Sequence, residues 1–281
     1  MTVHVIVPVH NRLALTQALI ACLRLQILKL PLRIIVVNDG STDATSEWLD
    51  IQEDIEVLHG DGSLFWGGAV GLAIRHIQIK GVADDWVLLM NNDTTVAENF
   101  VQCLLDIALK YAPAAVGTVI RDENDHHLLL SIGAQIDSWR LLTKDLLDKK
   151  DLGKQIDLVL EVDALSGRGV LFPLAALIAA GGMRPKVLPH YLADYELSVR
   201  VCKSGWRLLV ATEAAVYSGE NYGSTRRAES FREIFFSVRS PLYLPALLMF
   251  WWQASNWIQR LTLPIRLPLL ILFPRLRKPQ S

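Results

Sequence analysis

Several features are scarce in this sequence of 281 residues, and each scarcity excludes a class of protein. The three cysteines, Cys22, Cys103 and Cys202, are too far apart for a zinc site or a disulfide framework, so we expect buried thiols in a reducing compartment. The formal net charge of −1 argues against a nucleic-acid partner. Residues 1–20 lack the basic and apolar regions of a signal peptide, so we expect a cytoplasmic location.

Long apolar runs are missing too, and this matters most in residues 239–281. Prolines and arginines interrupt both apolar clusters of this segment, so neither reaches the roughly 18–20 residues that a membrane span needs. Residues 226–281 contain nine Lys/Arg and two Glu, which gives this part a charge of +7. Residues 1–225 contain the other 19 basic and 27 acidic residues, which gives them a charge of −8. Tryptophans flanked by arginines predict an amphipathic segment lying on an anionic membrane surface. Packing on the rest of the chain, or on a second subunit in a homo-oligomer, is the alternative.

Buried strands alternate with single helices in the first 112 residues, which predicts an open α/β fold with a mostly parallel sheet flanked by helices. The predicted strands are 3–9, 33–37, 55–58 and 87–90, and the predicted helices include 13–28, 69–80 and 96–111. Beyond residue 113 the pattern becomes mixed. Strands are predicted at 114–120, 128–136, 156–163 and 165–172, a variable loop or short helices at 137–153, and a helix at 193–204.

The apolar run Val87–Met90 ends abruptly in Asn91, Asn92 and Asp93. If this run is a strand of a parallel sheet, its polar end lies at the carboxyl edge of the sheet, which is where open α/β folds bind ligands. A carboxylate placed there can hold a hard divalent cation against a diphosphate. Taken alone, the same residues also fit a strand end followed by the N-cap of the next helix.

Three further motifs follow predicted strands of the first half: Pro8–Arg12, Asn38–Asp43, and the glycine-rich stretch Gly60–Ala69. The glycines of the last motif allow a close backbone approach to a ligand, and the helix that follows offers N–H groups to an anion. The stretch lacks the G-x-G-x-x-G spacing of a dinucleotide-binding loop.

Taken in order, these motifs resemble the family-2 glycosyltransferases, inverting enzymes with the GT-A fold that use nucleotide-diphosphate sugars. The resemblance covers residues 3–240. It implies a nucleotide-sugar-binding half at 1–112 and an acceptor-binding and catalytic half at 113–238, followed by the membrane-associating segment 239–281. The donor site would include Pro8, Val9, Asn11 and Arg12 along the base, Asp39 on the base or ribose, Gly62, Trp66, Gly67 and Gly68 in the loop, and Asn91, Asn92 and Asp93 at the diphosphate. Asp93 would bind Mg²⁺ or Mn²⁺.

The resemblance also assigns the second half. Tyr191–Arg200 is similar to the family segment that carries the catalytic base, which places Asp194 as the base and Ala193 where an acid is usual. An N-cap role for Asp194 is the alternative. Gly167, Arg168, Tyr191 and Glu196 would then bind the acceptor, although Arg168 could instead bind the diphosphate or be a surface charge.

One departure from the family pattern concerns the metal. Ser218 stands where the family often has a histidine, which predicts weak metal affinity or reduced metal dependence; His10 and His190 are nearby candidates. We expect sugar transfer to a glycan or lipid-linked acceptor on the inner face of the membrane, in cell-surface polysaccharide synthesis. The glycine-rich loop favours rhamnosyl or similar deoxyhexosyl transfer. A nucleotide-sugar pyrophosphorylase and a non-catalytic scaffold that binds nucleotide sugar are the alternatives.

Overall fold

A computed structural model of the chain describes residues 1–147, 158–219 and 230–272. Its first half alternates strands and helices as the sequence predicts. In chain order these elements are β1 Val3–Val9, α1 Leu13–Arg24, β2 Leu32–Asp39, α2 Thr45–Asp50, β3 Ile55–Gly60, α3 Phe65–Lys80, β4 Trp86–Leu89, β5 Thr94–Val96 and α4 Phe100–Lys110.

The second half begins with strands and ends with helices. Its elements are β6 Ala114–Asp122, β7 Leu129–Ser131, β8 Ala134–Asp137, β9 Leu142–Asp145, β10 Val159–Glu161, β11 Val170–Pro173, α5 Leu174–Ala179, α6 Ala193–Lys203, β12 Arg207–Ser218, α7 Phe231–Phe236, α8 Leu244–Ala254 and α9 Trp257–Leu272.

One ten-stranded sheet organises both halves, in the order β10-β12-β6-β11-β4-β1-β2-β3, with β5 and β7 attached to β12 and β6. Strands β3, β2, β1 and β4 pair in parallel, and β11 enters antiparallel between β4 and β6. The predicted fold class, a mostly parallel open sheet flanked by helices, is confirmed.

Two apolar layers cover the faces of this sheet. In β4, Leu88 points into the layer that contains α1 and α4, while Val87 and Leu89 point into the layer that contains α3 and α6. All three side chains are at most 1% exposed. A strand buried on both faces cannot alternate apolar with polar residues, which is why the run around Val87–Leu89 is continuously apolar.

Several predicted boundaries differ in the structure. The predicted strand 128–136 is divided into β7 and β8, because Gly133 adopts φ +112°, a backbone conformation that breaks a strand. Of the predicted strand 165–172, residues 166–169 form a loop and only the end belongs to β11. The predicted loop 137–153 contains β9, which pairs with β8, while its last six residues lie outside the described residues.

Helices α8 and α9 belong to the segment for which membrane contact was expected. Their inner face packs on the rest of the chain through Phe250, Trp251 and Leu263, which join Leu141 and Val199 in one apolar cluster. The alternative of packing on the rest of the chain therefore holds for this face. In residues 1–147, 158–219 and 230–272, no helix combines the length and apolar character needed to cross a bilayer.

Candidate active site

The polar residues predicted to bind a donor gather at one edge of the sheet. Strands β1, β2 and β4 are parallel neighbours, so their carboxyl ends deliver Arg12, Asp39 and Asp93 to the same side. Strand β11 is antiparallel to β4, so the loop before it, which carries Gly167 and Arg168, reaches this edge as well.

A cleft of about 310 Å³ opens there. It brings together six of the predicted site residues, Trp66, Asn91, Gly167, Arg168, Tyr191 and Asp194, with His190, Ser166, Leu192 and Tyr195. The last three were not assigned a role from the sequence. The only sequence feature that could have identified Ser166, Leu192 and Tyr195 is that each adjoins a residue with a predicted role.

Asp93 lies beside the cleft, where it faces Arg168 of the cleft wall and Arg12. Its Oδ2 lies 3.5 Å from Arg12 Nη1 and 4.0 Å from Arg168 Nη2. Its Oδ1 is buried and accepts no hydrogen bond from the part of the chain that the structure describes. A buried carboxylate oxygen without a donor is costly unless a ligand satisfies it. This atom therefore fits a role as a ligand to a cation.

Asp194 lies at the first turn of α6, on the cleft wall formed by the loop before β11. Its Oδ2 accepts a hydrogen bond of 2.9 Å from Gly167 N, and its Oδ1 accepts one of 2.9 Å from Tyr195 N. Burial raises the pKa of Asp194, although these two N–H groups and the charge of Arg168 act in the opposite direction. A raised pKa makes the carboxylate a stronger base than an ordinary aspartate.

Trp66 connects the two sides of the cleft. Its Nε1 donates a 2.8 Å hydrogen bond to Asn91 Oδ1. Its ring covers Gly167 so closely that a Cβ added at position 167 would lie 2.2 Å from the ring. Because the N–H of Gly167 is also the donor to Asp194, the indole ring supports the loop that holds this carboxylate.

The Asp39 carboxylate, at the end of β2, is held by backbone N–H groups. Its carboxylate accepts hydrogen bonds from Gly62 N at 2.8 Å, Phe65 N at 3.0 Å and Leu64 N at 3.3 Å, and the residue is 5% exposed. These donors include N–H groups at the start of α3, where a negative charge is favourable. Asp39 thus ties the glycine-rich loop to β2, and its contact with a base or ribose stays a prediction.

The prediction for Gly67 and Gly68 needs correction. Helix α3 begins at Phe65 rather than at residue 69, so both glycines lie inside it. A Cβ at Gly67 would lie 2.4 Å from the carbonyl oxygen of Leu188, and Gly67 N donates to Pro189 O at 2.7 Å. Gly67 admits the backbone of residues 188–189 rather than a ligand, and Asp39 occupies the helix start that was expected to bind an anion.

The loop after β1 is held by the chain itself. Asn11 Oδ1 accepts hydrogen bonds from Thr42 N and Asp43 N at 2.7 and 3.3 Å. His10 Nδ1 lies 2.6 Å from the carbonyl oxygen of Asp39, which can only accept, so this nitrogen carries the proton. Pro8, which is half-buried, also belongs to this strand end.

Two further donor-site predictions fall on side chains that face away from the cleft. Val9 is 2% exposed and packs in the apolar layer of α1. Asn92 is 8% exposed and donates a 3.1 Å hydrogen bond to Thr16 Oγ1 of that helix. Burial against α1 leaves both side chains with a structural role.

Glu196 does not line the cleft, contrary to its predicted role in acceptor binding. Its carboxylate is fully buried and accepts hydrogen bonds of 2.8 Å from both Nε and Nη2 of Arg200, and one of 3.0 Å from Arg184 Nη1. Residues 194 and 196 of a helix point in different directions, so the turn that exposes Asp194 to the cleft buries Glu196.

The residues proposed to complete a metal site are dispersed. Ser218 pairs with Thr94, one residue beyond Asp93, so it does stand beside the metal motif; the residues after 219 lie outside the described part until 230. His190 lines the cleft beside Tyr191, with ring centroids 4.7 Å apart, and burial together with Arg239 lowers its pKa. Among the residues that the structure describes, no cluster of three His, Cys, Asp or Glu could hold a metal ion.

Comparison with known proteins agrees with this fold. Residues 4–157, more than half of the chain, match the family model for glycosyl transferase family 2. The chain therefore belongs to glycosyl transferase family 2. This membership confirms the predicted enzyme class, a nucleotide-sugar-dependent glycosyltransferase.

Individual relatives are more distant. An N-acetylglucosaminyl-diphospho-decaprenol L-rhamnosyltransferase of Mycobacterium tuberculosis is 23% identical over 266 residues, which cover 86% of this chain and 84% of that protein. The predicted resemblance to rhamnosyltransferases is confirmed.

Solved structures share the fold at low identity. GalNAc-T7 with UDP, GalNAc and Mn²⁺ has a TM-score of 0.64 at 15% identity, and covers 98% of this chain and 58% of its own. This chain thus spans about three-fifths of the length of that structure. The mannosyltransferase PcManGT from Pyrobaculum calidifontis, in complex with GDP-Man and Mn²⁺, has a TM-score of 0.55 at 16% identity, and covers 97% of this chain and 81% of its own.

Proposed function

We propose that the protein transfers a sugar from a nucleotide-diphosphate sugar to a hydroxyl group of a lipid-linked glycan, with inversion at the anomeric carbon. The observation that carries this proposal is the placement of Asp194. Its carboxylate lines the same cleft as Arg168, and Arg168 in turn contacts Asp93. One side of the cleft can hold a diphosphate while the other presents a base.

Asp194 acts as the general base in this proposal. Each carboxylate oxygen accepts one backbone hydrogen bond, which leaves further lone pairs for an acceptor hydroxyl. As the acceptor oxygen bonds to the anomeric carbon, its proton passes to Asp194 and the bond from that carbon to the diphosphate oxygen breaks. Attack from the face opposite the diphosphate inverts the configuration.

Asp93 serves the leaving group. Its buried and unpartnered Oδ1 fits a ligand to Mg²⁺ or Mn²⁺, and such a cation, when bound, supplies positive charge against the departing diphosphate. Cations of this kind accompany nucleotides or nucleotide sugars in GalNAc-T7 and in the mannosyltransferase.

The relative from Mycobacterium tuberculosis suggests the substrates. Its name describes transfer of L-rhamnose to N-acetylglucosaminyl-diphospho-decaprenol, that is, to a sugar on a polyprenyl diphosphate. We expect a rhamnosyl or similar deoxyhexosyl donor and a polyprenyl-diphosphate acceptor here, and we propose a role in cell-surface glycan assembly.

A panel of donors tests the proposal. Purified full-length protein is incubated with UDP-, dTDP- and GDP-sugars and an N-acetylglucosaminyl polyprenyl diphosphate, with and without Mn²⁺, and released nucleoside diphosphate and elongated lipid are measured together. We expect both products in equal amounts from one nucleotide class. Tight nucleotide binding without turnover of any pair would instead identify a non-catalytic scaffold, and pyrophosphate-dependent formation of nucleotide sugar a pyrophosphorylase.

The outer face of α8 and α9 supports a peripheral position on the membrane. Its exposed apolar side chains follow one another at helical spacing: Leu248, Trp252, Trp257, Ile258, Leu261, Ile265 and Leu269, each 43–72% exposed. Arg260 stacks over Trp252 at 5.2 Å, a combination that suits the headgroup region of an anionic leaflet. We propose that this face lies on the inner surface of the cell membrane, near a lipid-linked acceptor.

Flotation with lipid vesicles tests this position. The protein should float with vesicles that contain phosphatidylglycerol and much less with pure phosphatidylcholine. Replacing Leu261 and Ile265 with glutamate should lower binding by about tenfold or more, because each residue loses the burial of a large apolar side chain. Ile79, 85% exposed on α3, is the matched control, and Ile79→Glu should bind normally. Equal flotation of both variants would exclude this face as the contact.

A further inference from the structure

Arg239, an exposed cation in the segment before α8, has no acidic partner. Its guanidinium lies over the ring of Phe65, 5.9 Å from the ring centroid. Within residues 1–147, 158–219 and 230–272 it forms no ion pair with a carboxylate. Contact with the face of a ring leaves the N–H donors of the guanidinium plane available to an anion.

Three rings connect Arg239 to the cleft. The ring centroid of His190 lies 6.5 Å from that of Phe65 and 4.7 Å from that of Tyr191. We call Phe65, His190 and Tyr191 the aromatic wall; its last two members line the cleft together with Asp194. Burial, and then the positive charge of Arg239, lower the pKa of His190, so the imidazole is neutral at about pH 7. Arg239 therefore carries the positive charge at this end of the wall.

The backbone of Phe65 indicates that the position of its ring matters. Phe65 adopts φ +52°, a conformation that is unfavourable for a bulky side chain. Its N–H donates a 3.0 Å hydrogen bond to Asp39 Oδ2, and this contact holds the residue there. Strained residues of this kind are concentrated at functional sites, where the surrounding structure maintains them.

The segment after Arg239 leads directly to the helices whose outer face lies on the membrane in the proposed function. Helix α8 begins at Leu244 and packs against the cleft wall. Its Ala246 forms an apolar cluster with Leu188 and Ala193, and Leu192, which lines the cleft, packs against the same cluster. The base, the aromatic wall, the free cation and the membrane face thus follow one another around the cleft.

This order matches the parts of a lipid-linked sugar. Such an acceptor has a reacting hydroxyl, a sugar ring, a diphosphate and a lipid, in that order. Aromatic side chains commonly line ligand sites, where a few charged or polar groups fix the orientation of the ligand. The planar donor fork of arginine binds phosphate oxygens in pairs.

We propose that Arg239 binds the diphosphate of the lipid-linked acceptor while the acceptor sugar lies along the aromatic wall, with its reacting hydroxyl towards Asp194. The inference rests on the proposed function, because it names the residues that hold the acceptor of that reaction. It gives this chain an anion site on the acceptor side of the cleft.

Kinetics with a short acceptor test the assignment. The acceptor is N-acetylglucosamine on a water-soluble isoprenyl diphosphate, used without vesicles and at saturating donor. Arg239→Gln should raise the KM for this acceptor by about tenfold or more and leave the KM for the donor within about twofold, because only the acceptor loses charge-assisted hydrogen bonds. Arg239→Lys should recover part of the loss, since it restores the charge without the donor fork.

An inhibitor without a sugar isolates the diphosphate. Geranyl diphosphate should inhibit the wild-type protein competitively against the acceptor, and Arg239→Gln should weaken this inhibition by about tenfold. Phe65→Leu should raise the KM for the acceptor by about threefold, because the ring that holds Arg239 is lost.

Arg33→Gln is the matched control for both measurements. Arg33 is exposed and lies in β2 at the amino-terminal edge of the sheet, opposite the cleft, so its variant should behave as the wild type. Circular dichroism verifies that each variant is folded.

The outcomes separate this inference from the proposed function. If Arg239→Gln transfers sugar with an unchanged KM for the acceptor, the acceptor site is refuted and the glycosyltransferase proposal stands. Reduced flotation of that variant with phosphatidylglycerol vesicles, at an unchanged KM, would identify Arg239 as a contact to lipid headgroups instead. A raised KM for the donor would place Arg239 in the donor site. If the wild-type protein elongates no acceptor with any donor, both proposals are refuted.

Discussion

Replacing Asp194 with asparagine will lower the rate of sugar transfer by about 10³-fold, within the range expected for loss of a general base. The amide is nearly the same size and can still accept from Gly167 N, so nucleotide binding should not change. The measurement is release of nucleoside diphosphate in the presence of acceptor, beside a titration with the nucleotide. Asp84→Asn, at an exposed position, is the matched control and should keep full activity.

The same substitution should make the protein more stable at neutral pH. Burial raises the pKa of Asp194, so the folded state binds its proton more tightly than the unfolded state does. The stability that this group contributes is therefore present at low pH and lost as the pH rises through the raised pKa. Asparagine avoids that loss. Urea denaturation at pH 7.5 should show a gain that shrinks towards about pH 4, near the pKa of an ordinary aspartate.

The pH dependence of the wild-type rate follows from the same shift. Activity should fall on acidification through a pKa above the ordinary aspartate range, because the base must be ionised. An Asp194→Asn variant that keeps more than a tenth of the wild-type rate would refute the assignment of the base.

The second large effect concerns stability rather than catalysis. Replacing Glu196 with alanine should destabilise the protein by about 3–5 kcal/mol, because Arg200 would remain buried without its partner. The Arg200 side chain is 4% exposed, so bulk solvent does not hydrate its charge in the folded protein. Chemical denaturation followed by circular dichroism measures the change.

A surface pair provides the control for Glu196. Glu161 and Arg207 lie 3.3 Å apart with side chains 65% and 45% exposed, so Glu161→Ala should change the free energy of unfolding by less than about 1 kcal/mol. If Glu196 bound the acceptor instead, its variant would raise the KM for the acceptor and leave the unfolding curve in place. That result would restore the prediction made from the sequence.

The glycine-rich loop shows why some site predictions could not succeed from sequence. Gly67 and Gly68 were expected to face a ligand, because a glycine pair before a helix permits a close approach. The group that approaches Gly67 is the backbone of residues 188–189, more than a hundred positions away. A local glycine pattern predicts that another group packs closely against the backbone, but only the tertiary structure shows whether that group is a ligand or another part of the chain.

The two arginines beside Asp93 show that the sequence also failed to predict a contact that the structure does contain. Arg12 was assigned to the nucleotide, and Arg168 was left between the acceptor, the diphosphate and the surface. Nothing in either segment indicates that both guanidinium groups meet at one carboxylate oxygen. That meeting depends on the order of β1, β4 and β11 in the sheet.

The sequence by itself determined the alternation of strands and helices in the first half of this protein, and that acidic residues follow several strands. It could do so because a strand covered on both faces must be apolar throughout, and must turn polar where it leaves the core. The tertiary structure alone decided which acids remain available. Asp39 is buried among backbone amides and Glu196 between arginines, while Asp194 at the cleft and one oxygen of Asp93 beside it keep unused acceptor capacity. Hydrogen-bond partners come from distant segments, so availability is a property of the fold.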